Sequence, residues 1–182
     1  AIKKNDKTTQ YFNDPRVIER LLTYIDFSDS AILAQNTMFD GAILSWHYGV
    51  KPKVWFDTMC MGRGLHGVEA GASLRALSER YGIGEKGFEV HNAKGKRRAD
   101  FTAEEAKKYG AYCIQDVELT YKLFKIMGAN FPRTELKLID VTLRMFIDPI
   151  LDLDLGLLEQ HLEDTRDRKD KLLRDAGVTE KK

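Results

Sequence analysis

A run of apolar residues too short for a helix, Ala31-Ile32-Leu33-Ala34, leads straight into Asn36, and a few residues later the spacing becomes helical. Phe39, Ile43, Leu44 and Tyr48 then recur on one helical face, which Gly49 closes. This handover from strand to helix constrains the chain towards α/β architecture. Asp40 falls in the first helical turn, just past the carboxyl end of the strand, where open α/β sheets place their ligands. The ordinary alternative is that Asp40 only complements the positive end of the helix. A second strand is expected at Lys53-Val54-Trp55-Phe56-Asp57.

A later stretch, Tyr109 to Tyr121, carries a phenol and a carboxylate on one helix. Tyr112 and Asp116 stand four residues apart, so both side chains lie on the same face. Tyr109, Cys113, Leu119, Leu123 and Ile126 are expected to form the buried stripe of this helix. A carboxylate on a mostly apolar side is costly unless something compensates it. A metal ion is one candidate; a Tyr–Asp pair at the edge of a solvated face is the other.

Together, Asn36-x-x-x-Asp40 and Tyr112-x-x-x-Asp116 resemble the second and third motifs of the DEDDy 3′–5′ exonucleases. The chain most resembles the proofreading domain of family A DNA polymerases, the bacterial DNA polymerase I type in a phage-like version. Asp57-Thr58 after a strand and Ser73-Leu74-Arg75-Ala76-Leu77 before a helix ending at Gly82 add to the likeness. Further on, Arg144-Met145-Phe146, Pro149, Leu151, Leu153-Asp154 and His161-Leu162 resemble the junction into the polymerase. The resemblance implies a ribonuclease H-like fold, a mixed sheet flanked by helices. It implies an exonuclease domain over residues 1–130, and a helical linker with the start of a polymerase domain over 131–182.

The resemblance also assigns roles. Asp116 and Asp40 would ligate two divalent ions, Mg²⁺ or Mn²⁺, with Asp116 on the nucleophile side and Asp40 holding its ion through water. Tyr112 would aim the attacking water, and Asn36 and Phe39 would contact the substrate, a single-stranded DNA 3′ end. Hard ions of this kind take oxygen ligands, which suits Asp and Glu rather than Cys or His. The histidine branch of the family is not matched: His47, His66, His91 and His161 lack the required spacing and read as structural or surface residues. The alternatives are an RNase D-like exoribonuclease, which shares these motifs, and a catalytically dead nucleic-acid-binding domain.

One departure matters. The first family motif, Asp-x-Glu on the first strand, has no counterpart before Ala1-Ile2. Asp116-Val117-Glu118 has the letters, but residues two apart on a helix do not face each other. The expectation is therefore a fragment that lacks the first strand and is inactive alone. The sheet gap should either be closed by the opening hairpin in altered register or be filled by pairing between chains.

The remaining sequence is conventional. Ala1–Lys4 and Thr8–Phe12 read as a hairpin around Asn5-Asp6-Lys7, and Asp14-Pro15 opens a helix with a stripe from Val17 to Ile25. Gly62, Gly64, Gly67 and Gly71 read as a flexible loop, since their spacing matches no phosphate-cradling fingerprint. Gly82 to Asp100 reads as a loop whose basic run, Lys94 to Arg98, either touches a phosphate backbone or is simply solvated. Thr102-Ala103-Glu104-Glu105 is a capping box opening the Tyr112 helix, which Gly110 is expected to bend and Gly128 to close. A helix from Thr134 to the residue before Pro149, a short strand over Leu151–Leu155 and a last helix from Leu157 to Ala176 complete the expectation.

Twenty-nine basic against 28 acidic residues leave a net charge of +1, so any nucleic-acid groove must be local. Cys60 and Cys113 suit reduced thiols rather than a disulfide framework. No apolar run has membrane-spanning length. The cytoplasm of a bacterial or phage-infected cell is the expected location.

Overall fold

The computed structural model describes residues 1–87, 95–148 and 152–178, with Arg98 described in its backbone only. The chain divides into two units, Ala1–Asp148 and Pro149–Lys182. In the first unit the elements run α1 (Pro15–Thr23), β1 (Ala31–Ala34), α2 (Thr37–Tyr48), β2 (Val54–Asp57), α3 (Thr58–His66) and α4 (Leu74–Tyr81). A 3₁₀ turn (Arg98–Asp100), α5 (Ala103–Gly128) and α6 (Arg133–Ile147) follow.

β1 and β2 pair in parallel, with Ala31 opposite Val54 and Ala34 opposite Asp57. Parallel neighbours need a crossover, and α2 is that crossover. Successive strand residues face opposite sides, and β2 uses both. Trp55 is fully buried with Leu143 and Ile147 of α6, whereas the Phe56 ring lies 5.0 Å from that of Phe124 on α5. The strand pair is thus covered by a different helix on each face. A second apolar cluster, Met61, Leu74, Leu77, Leu119, Leu123, Met127 and Phe131, joins α3, α4 and α5.

Side-chain polarity fixes the joints. Asp14 caps α1, Ser73 caps α4, and Thr102 with Glu105 forms the reciprocal capping box of α5. Arg144 donates to Asp140 and Asp148 on its own helix and to the carbonyls of Pro52 and Lys53. Asp140 in turn accepts the Trp55 N–H at 2.7 Å. This network ties α6 to the beginning of β2.

Several expectations change. The glycine-rich stretch is helix α3, not a loop, at Gly62 and Gly64. A Cβ on Gly62 would meet the Leu77 methyls at 2.9 Å, so this glycine permits close helix packing. Gly67, at φ 80°, ends the helix. The opening hairpin reduces to one antiparallel bridge, Ile2 with Gln10, around Asn5 at φ 53°. Its flanks are held by side chains instead: Glu118 accepts from both Lys3 and Thr9, and Asp6 accepts the Tyr121 hydroxyl at 2.9 Å. Among the described residues the sheet contains β1 and β2 alone, and the hairpin does not close it.

α5 runs unbroken through Gly110, whose missing Cβ makes room for the Tyr11 ring. Of its expected stripe, Leu119 and Leu123 are buried, Tyr109 and Cys113 are half-buried, and Ile126 is exposed because Met127 turns inward instead.

In the second unit a helix, α7 (Leu155–Asp175), is opened by the Asp154 carboxylate, which accepts the Leu157 N–H at 2.9 Å. No strand forms over Asp152–Leu155, since Asp154 serves as a cap and Leu155 already belongs to the helix; Leu151 lies outside the described residues. The run Glu163–Lys171 is exposed throughout, a solvated helix face. Among the described residues no helix is long and apolar enough to cross a membrane.

Candidate active site

The site is organised by a buried carboxylate that backbone N–H groups hold. Asp57 ends β2 with 1% exposure, and its carboxylate faces the amino ends of two helices. Oδ1 accepts from Asn36 (3.2 Å), Met59 (2.7 Å) and Cys60 (3.3 Å), while Oδ2 accepts from Thr37 (2.9 Å). Free N–H groups at helix starts and the positive ends of two helix dipoles compensate the buried charge. Asn36 is left-handed (φ 63°) and does not cap α2 with its own side chain; Asp57 performs that task from the neighbouring strand.

This clamp sets the start of α2, where Phe39 and Asp40 follow. Phe39 is 64% exposed, a large ring held beside Asp40 without a core partner. Asp40 is itself exposed at the surface, yet the surrounding protein raises its carboxyl above the usual value. Partial desolvation is the main cause; a backbone hydrogen bond opposes it, and the charge of Asp57 adds to it. The Ala1 amino group pulls Asp40 slightly the other way and also acts on Cys113, one turn before Asp116.

On α5, Tyr112 is buried and Asp116 lies one turn further along. Burial, and then the adjacent Asp116 carboxylate, push the Tyr112 phenol well above its ordinary range. A phenol so raised keeps its proton at neutral pH and offers a hydroxyl rather than a phenolate. Asp116 Oδ2 lies 3.0 Å from the Lys86 ammonium, whereas Oδ1 is buried without a hydrogen-bond partner among the described residues. Glu118 points away, to Lys3 and Thr9, as helical geometry requires.

Tyr112 and Asp116 are thus brought together, and Asn36, Phe39 and Asp40 are gathered at one helix start. The electrostatic neighbours of the two carboxylates differ, Asp57 and Ala1 for Asp40 and Lys86 for Asp116. The unsatisfied Asp116 oxygen suits a cation ligand. Among the described residues, however, no three Asp, Glu, His or Cys side chains converge as a metal site. The donors present do not complete a two-ion centre by themselves.

Other candidates have ordinary roles. His66 pairs with the Tyr81 hydroxyl at 2.9 Å, His47 and His161 are exposed, and His91 lies outside the described residues. In the basic run, Lys94 lies outside the described residues, and Lys96 is engaged with Glu105 at 2.7 Å.

The clamp role of Asp57 and the presence of Lys86 do not follow from the sequence reading. Asp57, an Asp between a strand and a Thr, had a legible N-cap signal. Lys86 had none, because its partner is thirty positions away.

Residues 8–131 match the family model described as 3′-5′ exonuclease. Neither a curated protein nor a solved structure gives a significant match. With the match spanning more than half of the chain, this chain belongs to the 3′-5′ exonuclease family.

Proposed function

We propose that this chain contributes the Asp40 and Asp116 portion of a 3′–5′ exonuclease site acting on single-stranded DNA 3′ ends. The parent would be a proofreading family A DNA polymerase, with the exonuclease domain in a ribonuclease H-like fold. The observation that carries the reading is the Tyr112–Asp116 pair, whose Asp116 Oδ1 is buried and, among the described residues, unsatisfied in a chain of this family. Divalent ions, Mg²⁺ or Mn²⁺, supply Lewis acidity and water activation in such sites.

The chain's own residues have distinct tasks. Asp116 and Asp40 are the carboxylates offered to cations. Tyr112, protonated at neutral pH, holds a water through its hydroxyl beside Asp116. Phe39 offers an exposed ring on which a terminal base can stack, and Asn36 flanks it. Asp57 orients Asn36 and the start of α2 without touching substrate. Two carboxylates hold two hard ions only weakly against water, which with substrate phosphate would have to supply the rest of each oxygen shell, so the chain alone is expected not to turn over.

The test uses 5′-labelled single-stranded DNA in Mn²⁺. The chain alone should leave it intact. The same chain with an Asp-x-Glu strand fused ahead of Ala1 should remove 3′ nucleotides, and Asp116→Ala should abolish that. Trimming by the chain alone, absent in Asp116→Ala, would contradict the two-carboxylate limit. No trimming by the completed chain would contradict the exonuclease site.

A non-catalytic nucleic-acid-binding domain is the second reading, favoured by the Lys86–Asp116 ion pair. It predicts oligonucleotide binding that is indifferent to Asp116→Ala and to divalent ions.

A further inference from the structure

Lys86 follows α4 in a segment without regular structure, yet its backbone is held from two sides. Gln115 of α5 donates to the Glu85 carbonyl, and Arg75 of α4 reaches the carbonyls of Lys86 (3.3 Å) and Gly87 (3.5 Å). From this anchor the ammonium reaches Asp116 Oδ2 at 3.0 Å and lies 5.6 Å from the centre of the Tyr112 ring. Both the Lys86 and Asp116 side chains are about three-quarters covered, at 23% and 25% exposure. A cation so placed is favoured twice, by a carboxylate and by an aromatic face.

The arrangement satisfies only half of the carboxylate. Among the described residues the second oxygen stays buried without a partner, a costly state for a charged acceptor. A lysine ammonium is a single point of charge on a flexible stem. A small divalent cation carries twice the charge and binds oxygen ligands at shorter range. The ammonium and such an ion compete for the same negative charge.

We propose that Lys86 is the resident counter-ion of Asp116 and competes with divalent cations for it, so that loading the site requires the ammonium to leave. This deepens the exonuclease reading and rests on Asp116 being a cation ligand. Lys86 is a positioning residue in this role: it holds Asp116 and the Tyr112 ring in place while no ion is bound, and sets the affinity at which an ion takes over. The tether through Gln115 and Arg75 keeps it within reach.

The experiment is a Mn²⁺ titration of the full chain, followed by paramagnetic broadening of the backbone amide resonances around Asp116. Lys86→Met, which keeps the apolar stem and removes the charge, should tighten Mn²⁺ binding about fivefold, the upper size for a partly exposed ion pair. Lys86→Arg should bind like the unmodified chain, and Asp116→Asn should lose the localised broadening. Gln115→Ala, which removes the tether at Glu85, should move affinity in the same direction as Lys86→Met by a smaller factor. It provides the test should Lys86→Met fail to fold.

Unchanged or weaker Mn²⁺ binding in Lys86→Met, with broadening lost in Asp116→Asn, would overturn the competition while leaving Asp116 a ligand. Broadening that persists in Asp116→Asn would overturn both the competition and Asp116 as a ligand.

Discussion

The Asp57 carboxylate accepts the Thr37 N–H at 2.9 Å, tying the end of β2 to the first residue of the helix that carries Asp40. The same side chain caps α3, so one buried charge sets two helix starts. Removing it should be expensive. Asp57→Ala should lose about 2–4 kcal/mol, two caps at roughly 1–2 kcal/mol each. Asp57→Asn, which keeps one acceptor oxygen, should lose less. Urea unfolding of both variants checks the order; an Asp57→Ala loss below about 1 kcal/mol, a single ordinary cap, would show that the clamp is not structural.

Gly62 and Gly64 occupy the same helix but meet different neighbours. A Cβ at Gly62 meets Leu77 methyls at 2.9 Å, and one at Gly64 meets the Phe131 ring at 3.4 Å, an ordinary contact. Gly62→Ala should destabilise by up to about 2 kcal/mol, overpacking of roughly 1–3 less the helical gain of about 1. Gly64→Ala should be neutral or stabilising by up to about 1 kcal/mol. Thermal unfolding of the pair separates a packing glycine from a tolerated one.

Glu105 provides the acid-side signature of α5. Its carboxyl is pulled from 4.5 down to about 2, first by Lys96 and then by the Thr102 backbone and hydroxyl. A depressed carboxyl stabilises the fold above its unfolded value and loses that contribution as pH falls through the folded one. The window is therefore about 4.5 down to about 2. Glu105→Gln should flatten the stability profile there and leave its shape above that window unchanged, as read by denaturation at stepped pH.

Asp40 should behave oppositely. Its carboxyl is raised, mainly by partial desolvation with Asp57 adding to it. Ionising it disfavours the folded state, so its contribution falls as pH rises from the unfolded value through the raised one. Asp40→Asn should then raise the thermal midpoint at neutral pH, the pattern of a group kept for chemistry at the expense of stability. A lowered midpoint would remove that interpretation.

How much could be read beforehand depended on the distance along the chain at which each residue finds its partner. The β1 and β2 strands, the Asp14, Ser73 and Thr102 caps and the Tyr112–Asp116 spacing are set within a few residues, and their place in the fold was legible. Gly62 suggests a loop in the sequence because the residue that demands a glycine there, Leu77, sits on another helix. The alternation Leu151 to Leu155 suggested a strand, but Asp154 had a local competitor for that role as the cap of α7. The hairpin failed to ladder because Lys3 and Thr9 find Glu118 on α5. Lys86 was invisible for the same reason, since only the folded chain brings it to Asp116.

In the proposed exonuclease site, Asp40 and Asp116 from different helices serve one 3′ end of a nucleic acid. The direct measurement is the rate of 3′ nucleotide release in Mn²⁺ by the chain completed with an Asp-x-Glu strand, beside its Asp40→Asn and Asp116→Asn variants. Both variants should lose at least about a hundredfold, the scale of a removed electrostatic catalytic contact. Undiminished release by either variant would contradict the account.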